Sequence, residues 1–410
     1  MSGRRRAAAS VLVSGALLLP AAAPAWAAPA SSAGSLPGIA QTVTDSQQGC
    51  VQGSSAQVGK TPWPQTFLAP QSAWSLSEGG GVTVAVLGSG VSDSSGVLAG
   101  RLTLGQRENG SGDSGRDCVG YGTFVAGLIA AQPSAGPGLA GVAPQAQILA
   151  IGVTDDTGAT SAGALAQGIR AAVDGGARVV DVTVTVPSPS ASLASAVAYA
   201  VKKGVLVVAP FGADGQTQAG TVYPAGYPQV LSVADLASTG SPPQNGALGG
   251  RVDLVAPGDA LMSVGPGGSG DFTATGPGLA TAFVAGTAAL VLGRYPSLTL
   301  AQLVRRLEST AYHPGTALPD PHLGYGTVDP VAAVTEVVPG LGGPPAPKPV
   351  PARAAAPVLL PAPPADPATG QAAEVAGAAL LAVLLVALAA IVLPRGRRRG
   401  WRPGRGPEWH

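Results

Sequence analysis

The chain has 410 residues, of which 46% are hydrophobic, 11% charged and 4% aromatic, with 60 Gly, 39 Pro and two Cys. About a quarter of an ordinary soluble domain is charged, so the deficit points to apolar segments outside a globular core, and two cysteines exclude a disulfide-dense scaffold or a four-thiolate zinc site. The formal charge of +1 divides into +3 over residues 1–27, −6 over 28–371 and +4 over 372–410; the acidic middle excludes a nucleic-acid binder, which needs a basic face on its folded part.

Arg4, Arg5 and Arg6 precede an apolar run from Ala7 to Pro20, and Ala25-Trp26-Ala27 has the small-x-small pattern of a cleavage site. Residues 1–27 are therefore expected to be a secretory signal peptide. An uncleaved anchor helix is the alternative, which Pro20, Pro24 and the shortness of the run disfavour. An N-terminal extension, 28–78, follows. Runs rich in Val and Ile then recur at 82–87, 147–153, 178–184, 205–209, 230–233 and 252–255, most bounded by Gly or Pro. Runs apolar on both faces suit buried parallel strands. Ala-rich helical stretches lie between them at 160–173, 190–201 and 279–292, which predicts an α/β fold over 79–338, a doubly wound parallel sheet with helices on both faces. Ligands in such folds bind beyond the carboxyl ends of the strands, so chemistry is expected in the loops after 87, around 121, after 209 and before 279.

Residues 339–371 form a Pro/Ala-rich linker, and 372–393 is a stretch whose only charge is Glu374. At ~1.5 Å per residue that stretch crosses a hydrocarbon core of roughly 30 Å. A buried core helix is the alternative. The linker before the stretch, and Arg395, Arg397, Arg398, Arg399, Arg402 and Arg405 after it, favour a transmembrane helix. The excess of arginine places the tail 394–410 in the cytoplasm and the domain outside the cell membrane.

Three blocks carry a family resemblance. Val84-Ala85-Val86-Leu87-Gly88-Ser89-Gly90, Gly120-Tyr121-Gly122-Thr123-Phe124-Val125-Ala126-Gly127 and Gly276-Pro277-Gly278-Leu279-Ala280-Thr281-Ala282-Phe283-Val284-Ala285-Gly286 resemble the Asp, His and Ser blocks of subtilisin-like serine proteases, in that family's order. Thr61-Pro62-Trp63-Pro64-Gln65, the segment Gly324-Tyr325-Gly326-Thr327-Val328-Asp329-Pro330 and the layout of signal, domain, linker and span resemble mycosins, the proteases associated with type VII secretion in actinobacteria. The resemblance covers roughly residues 50–393.

The catalytic side chains are not carried over. The family's Asp falls on Gly88, its His on Tyr121 and its nucleophilic Ser on Gly278. Its oxyanion Asn falls on Ala213, and the Ser-Leu-Gly that ends its substrate-pairing strand is replaced by Thr183-Val184-Thr185. Acyl transfer needs a nucleophile, a base, a group orienting that base and donors aimed at the oxyanion. Glycine has no side chain, and a tyrosine of pKa about 10 is a poor general base at neutral pH. Losing such a triad costs on the order of 2 × 10⁶ in turnover, and losing the oxyanion donor a further ~10²–10³. The resemblance with its site emptied implies a pseudoprotease that binds a type VII secretion membrane complex or another envelope protein. A serine endopeptidase using other residues, or a peptide-binding module that keeps the groove, are the alternatives.

No other residues assemble a replacement. The histidines are His313, His322 and His410, the first two beyond the Ser block and the last in the tail. Ser89 is read as a turn former and, alternatively, as a relocated nucleophile that still lacks a base. Gly88-x-Gly90 lacks the third glycine of a dinucleotide loop, since Asp93 stands there. Asp155-Asp156 and Asp113 to Asp117 are read as solvated loop carboxylates, with calcium as the alternative. Gly265 to Gly270 reads as a flexible loop. No cofactor or resident metal is expected. The mycosin resemblance implies a disulfide between Cys50 and Cys118, pinning the extension across the domain; two unrelated buried thiols are the alternative.

Overall fold

In the computed structural model the apolar runs become strands of one parallel sheet. The structure describes residues 36–43, 49–57, 59–133, 138–213, 220–241, 250–341 and the helix 367–398. The expected signal peptide, most of the linker and the end of the tail lie outside the described residues. Two compact units divide the chain, one up to residue 346 and one from 347.

Strand β1 (Gly38–Ile39) and helix α1 (Trp63–Phe67) belong to the extension. The domain continues through β2 (Thr83–Gly88), β3 (Leu102–Arg107), α2 (Tyr121–Ala130), β4 (Gln147–Gly152), α3 (Ala162–Asp174), β5 (Val179–Val182), α4 (Ala191–Lys202), β6 (Leu206–Pro210), β7 (Leu231–Leu236) and β8 (Leu254–Pro257). It closes with β9 (Leu261–Val264), β10 (Asp271–Ala274), α5 (Pro277–Arg294), α6 (Leu300–Ser309) and α7 (Pro330–Thr335). The large sheet has the order β3-β4-β2-β5-β6-β7-β8, all neighbours parallel. A reversal of strand order at β2 and β5 is where such sheets open a crevice.

Alternation along each strand divides the core in two. Val84 and Val86 of β2 pack with α2 and α5 on one face, whereas Ala85 and Leu87 pack with α3 and α4 on the other. Helix α5 is buried from Gly278 to Leu292 and has no polar face. It stays satisfied because the hydroxyls of Thr281 and Thr287 donate to Gly278 O and Phe283 O within the helix, at 2.8 and 2.7 Å. Ser161 caps α3 by accepting from Ala164 N at 3.1 Å, and Thr299 with Gln302 forms a capping box on α6.

The extension is pinned as expected. Cys50 and Cys118 form a disulfide, Val51 N donates to Cys118 O at 2.8 Å, and Trp63 Nε1 donates to Asp259 O at 2.9 Å. Contrary to the expectation of a flexible loop, Gly265 to Gly270 forms the turn between β9 and β10, where Ser54 N donates to Gly267 O at 3.1 Å and Gly270 N to Ser54 O at 2.8 Å. The extension supplies the partners that make this turn a fixed one.

In the second unit, α8 (Pro367–Arg398) is one continuous helix containing the expected span 372–393. Its apolar residues Ala376–Val392 are exposed on every side. Among the described residues, the helix that by length and hydropathy alone suffices to cross a membrane is α5, which is the buried core helix of the domain.

Candidate functional site

Gly88, Tyr121 and Gly278 lie at the end of β2, the start of α2 and the start of α5, so the fold delivers all three blocks to the carboxyl end of the sheet. They converge around Thr183, which follows β5. A Cβ added at Gly88 would stand 2.7 Å from Thr183 Oγ1. A Cβ at Gly278 would stand 2.3 Å from Thr183 O, 2.8 Å from the Tyr121 hydroxyl and 3.3 Å from Gln41 Nε2. Contacts under about 3.4 Å are repulsive between such atoms. Both glycines are therefore built into the packing, and the space beside Gly278 is taken by Tyr121, which is 1% exposed. Thr183 itself is held in place, because its amide and its hydroxyl both donate to Leu87 O, at 3.1 and 3.0 Å.

Ala213 lies two residues beyond Phe211 in the loop after β6, half-buried, and residues 214–219 of that loop are outside the described set.

Ser89 is 4% exposed, and its Oγ accepts from Gly122 N at 3.0 Å. Beside it, Asp117 accepts from Gly120 N, Thr123 N and Thr123 Oγ1 at 2.7, 2.8 and 2.6 Å. These bonds use the otherwise unpaired amides at the start of α2. Ser89 and Asp117 therefore act structurally, locking the loop after β2 to that helix. His313 and His322 sit exposed in the loop 311–324, and Gly315 N donates to His313 Nδ1 at 3.0 Å; His410 is outside the described residues.

The acidic clusters have partners of their own. Asp155 Oδ1 accepts from Thr157 N, Thr157 Oγ1 and Ala159 N at 2.9, 2.7 and 3.0 Å. Asp156 pairs with Arg116 at 3.2 Å on the surface, and Asp113 accepts from Gly115 N at 2.9 Å.

Residues 79–326 match the Subtilase (peptidase S8) family. The chain belongs to this family. It is 33% identical over 332 residues to Mycosin-1 of Mycolicibacterium smegmatis, covering 68% of this chain and 73% of that protein. It is also 36% identical over 238 residues to Thermitase of Thermoactinomyces vulgaris, covering 58% and 82%. Among solved structures it resembles MycP1 from Mycobacterium smegmatis, with TM-score 0.62 and 29% identity over 77% of this chain and 93% of that one. The MycP3 protease from the type VII (ESX-3) secretion system aligns with TM-score 0.63 and 31% identity, over 70% and 91%. The chain is thus a mycosin-like subtilase, related to type VII secretion proteases.

Two features of the site had no signal in the motifs. Asp181 lies on β5 beneath α5, fully buried, and neither of its carboxylate oxygens has a hydrogen-bond partner among the described residues. Burial pushes it up to about 7; the nearby Thr281 hydroxyl opposes this only weakly, since its hydrogen bond goes to Gly278 O. The second is Gln41 of the extension, whose Nε2 donates to Thr183 O at 2.7 Å.

Proposed function

We propose that this subtilase is a pseudoprotease: a membrane-anchored, exported domain that binds a type VII secretion membrane complex, in a structural or regulatory role, without cleaving peptides. The observation that carries the reading is the crowding at position 278, where a nucleophilic side chain would begin 2.3 Å from the Thr183 carbonyl oxygen. Gly88, Tyr121 and Ala213 in place of the acid, base and oxyanion donor agree with it, because glycine and alanine offer no side chain that takes or donates a proton and a tyrosine is a poor general base at neutral pH. The anchor is supported by α8, whose apolar residues need cover that water does not provide, and by the arginines after it. The partner class comes from the mycosins it resembles, three of whose solved structures are named for type VII systems.

The catalytic half is tested with a fluorophosphonate probe and a peptide library on the purified chain. Neither labelling nor turnover is expected, and labelling abolished by substituting a serine of this chain would overturn it. The secretion half is tested by deleting the gene and by pull-down from detergent-solubilised membranes. Unchanged export of type VII substrates together with recovery of no secretion component would overturn that half alone.

A further inference from the structure

Charge is not spread evenly over the domain. At the amino ends of the strands stand Arg178 immediately before β5, Lys202 and Lys203 at the end of α4, Arg294 at the end of α5 and Arg305 on α6. Among the described residues none of these cations is ion-paired, since the salt bridges are Arg116 with Asp156 and Arg251 with Asp253. The carboxyl ends are acidic instead: Asp93, Glu108, Asp113, Asp155, Asp156 and Asp259 lie in their loops. The cations there are engaged, Arg116 by Asp156 and Arg107 by the carbonyl oxygens of Ser89, Thr154 and Arg116. The helix dipole accounts for Lys202, Lys203 and Arg294, which end helices. It does not account for Arg178, which precedes a strand, or for Arg305, which lies inside α6.

Most anions of the amino end are engaged or partly neutral. Asp174 accepts from the Tyr199 hydroxyl at 2.6 Å, and Asp253 is taken by Arg251. Glu336 lies beside Arg306. Burial pushes Glu308 up to about 7, so much of it is neutral near that pH. Glu78 completes the set. Lys202 and Arg305, both exposed, line one cavity of about 620 Å³, with Glu308 and the apolar Val201, Leu300 and Val304. The chain that continues toward α8 leaves the domain here, since a Cβ at Gly340 would stand 3.9 Å from Arg305 Nη1.

We propose that the amino end of the sheet is a docking face for anionic phospholipid headgroups, with Lys202 and Arg305 taking a lipid phosphate at the mouth of their shared cavity. Unpaired Lys and Arg are drawn to an anionic bilayer surface within about a screening length, and the acidic carboxyl ends are repelled by it. The apolar cavity wall suits a ligand whose charged head is carried on an apolar body. The inference rests on the proposed anchor in α8, and neither on the loss of catalysis nor on a role in secretion.

The test uses the full chain reconstituted into vesicles of phosphatidylcholine alone or of phosphatidylcholine mixed with phosphatidylglycerol, each containing a rhodamine-headgroup lipid as energy acceptor. A fluorescent donor is placed on Ala301→Cys, an exposed position lining the cavity, or on Ser111→Cys, exposed in a loop at the opposite end. The native cysteines are joined to each other and leave the new thiol to be modified. Energy transfer from position 301 should be at least about twofold greater in the anionic vesicles than in phosphatidylcholine, and about 1 M salt, which shortens screening to about 3 Å, should abolish the difference. Transfer from position 111 should not increase. Lys202→Glu with Arg305→Glu should return transfer from position 301 to its phosphatidylcholine level. Equal transfer in both vesicles would overturn the inference and leave the basic face to an acidic protein partner. Insensitivity to the double variant, or an equal gain from position 111, would also overturn it. Should the double variant not fold, the salt series on the unaltered side chains decides, and a difference that survives about 1 M salt would overturn the inference. A chain that leaves the vesicles on alkaline washing would overturn the anchor and the inference together, whereas a retained chain that ignores lipid charge would overturn the inference alone.

Discussion

The hydroxyl of Tyr121 stands 2.8 Å from the point where a Cβ on Gly278 would lie, and the carbonyl oxygen of Thr183 stands 2.3 Å from it. A tyrosine hydroxyl can swing aside, but a backbone oxygen between β5 and its following loop cannot. Gly278→Ala is therefore expected to destabilise the domain by about 1–3 kcal/mol, the usual range for overpacking a filled core. Adding Tyr121→Phe to remove the hydroxyl should recover little of that loss. Urea denaturation of the two variants checks this; full recovery in the double variant would place the obstruction on Tyr121 rather than on the backbone.

Restoring Asp, His and Ser together at Gly88, Tyr121 and Gly278 should not yield a protease. The Asp would start 2.7 Å from Thr183 Oγ1, so the threonine hydroxyl must turn away, and the Ser 2.3 Å from Thr183 O, so it enters only if the backbone after β5 shifts. Catalysis tolerates misplacement by about 1 Å only at a cost of ~10². Peptide turnover by the triple variant above the level of the unaltered chain would contradict this expectation.

The Cys50–Cys118 disulfide closes a loop with a sequence separation of 68 residues. In the chain-entropy account such a closure contributes about 4 kcal/mol. Cys50→Ser is expected to lower stability by up to that amount and to speed hydrogen exchange in residues 49–57, whose amides Val51 and Ser54 are bonded to the domain. An unchanged denaturation midpoint would show that the extension is held by its hydrogen bonds alone.

Protease added to spheroplasts should digest the domain and spare an epitope placed after residue 400, because apolar α8 precedes an arginine-rich end. A digested epitope with a protected domain would reverse the proposed topology.

Much of this architecture is legible in the sequence because its signals are local. The runs forming β2, β4 and β6 are apolar on both faces and bounded by Gly or Pro, and the three blocks mark the loops where the site lies. Strand β3 gives no such signal because it is an edge strand whose Thr103, Leu104 and Gln106 are exposed, so no buried run betrays it. The pair β9 and β10 are four-residue strands with their own turn, and β1 exists only through its pairing with β10. Gly278 can be read as a lost nucleophile, but nothing adjacent to it in sequence tells that Thr183 O and Tyr121 close around the space. The Gln41–Thr183 bond joins residues 142 apart, a contact set by tertiary packing rather than by any periodicity. Asp181 is likewise hidden: it sits inside a Val-rich run, Val179–Val182, where the flanking residues dictate a buried strand and carry the carboxyl with them.

That buried carboxyl makes stability depend on pH in a defined direction. In the unfolded chain an aspartate ionises near its ordinary 3.8, whereas burial holds Asp181 protonated up to about 7 in the folded protein. Between those values the folded state binds the extra proton, so stability falls as pH rises from about 4 to about 7 and levels off above. The contribution over that window is at most roughly 4 kcal/mol. Asp235 and Glu308, which burial pushes up to about 6 and about 7, act in the same sense. Asp181→Asn removes one of these three groups and keeps the shape of the side chain. Its stability should therefore decline less steeply than that of the unaltered chain between about pH 4.5 and about pH 7.5, with the largest gain at the upper end. Urea denaturation across that range checks it, and parallel curves for the two proteins would mean that Asp181 is ionised in the fold and has a partner that offsets its burial.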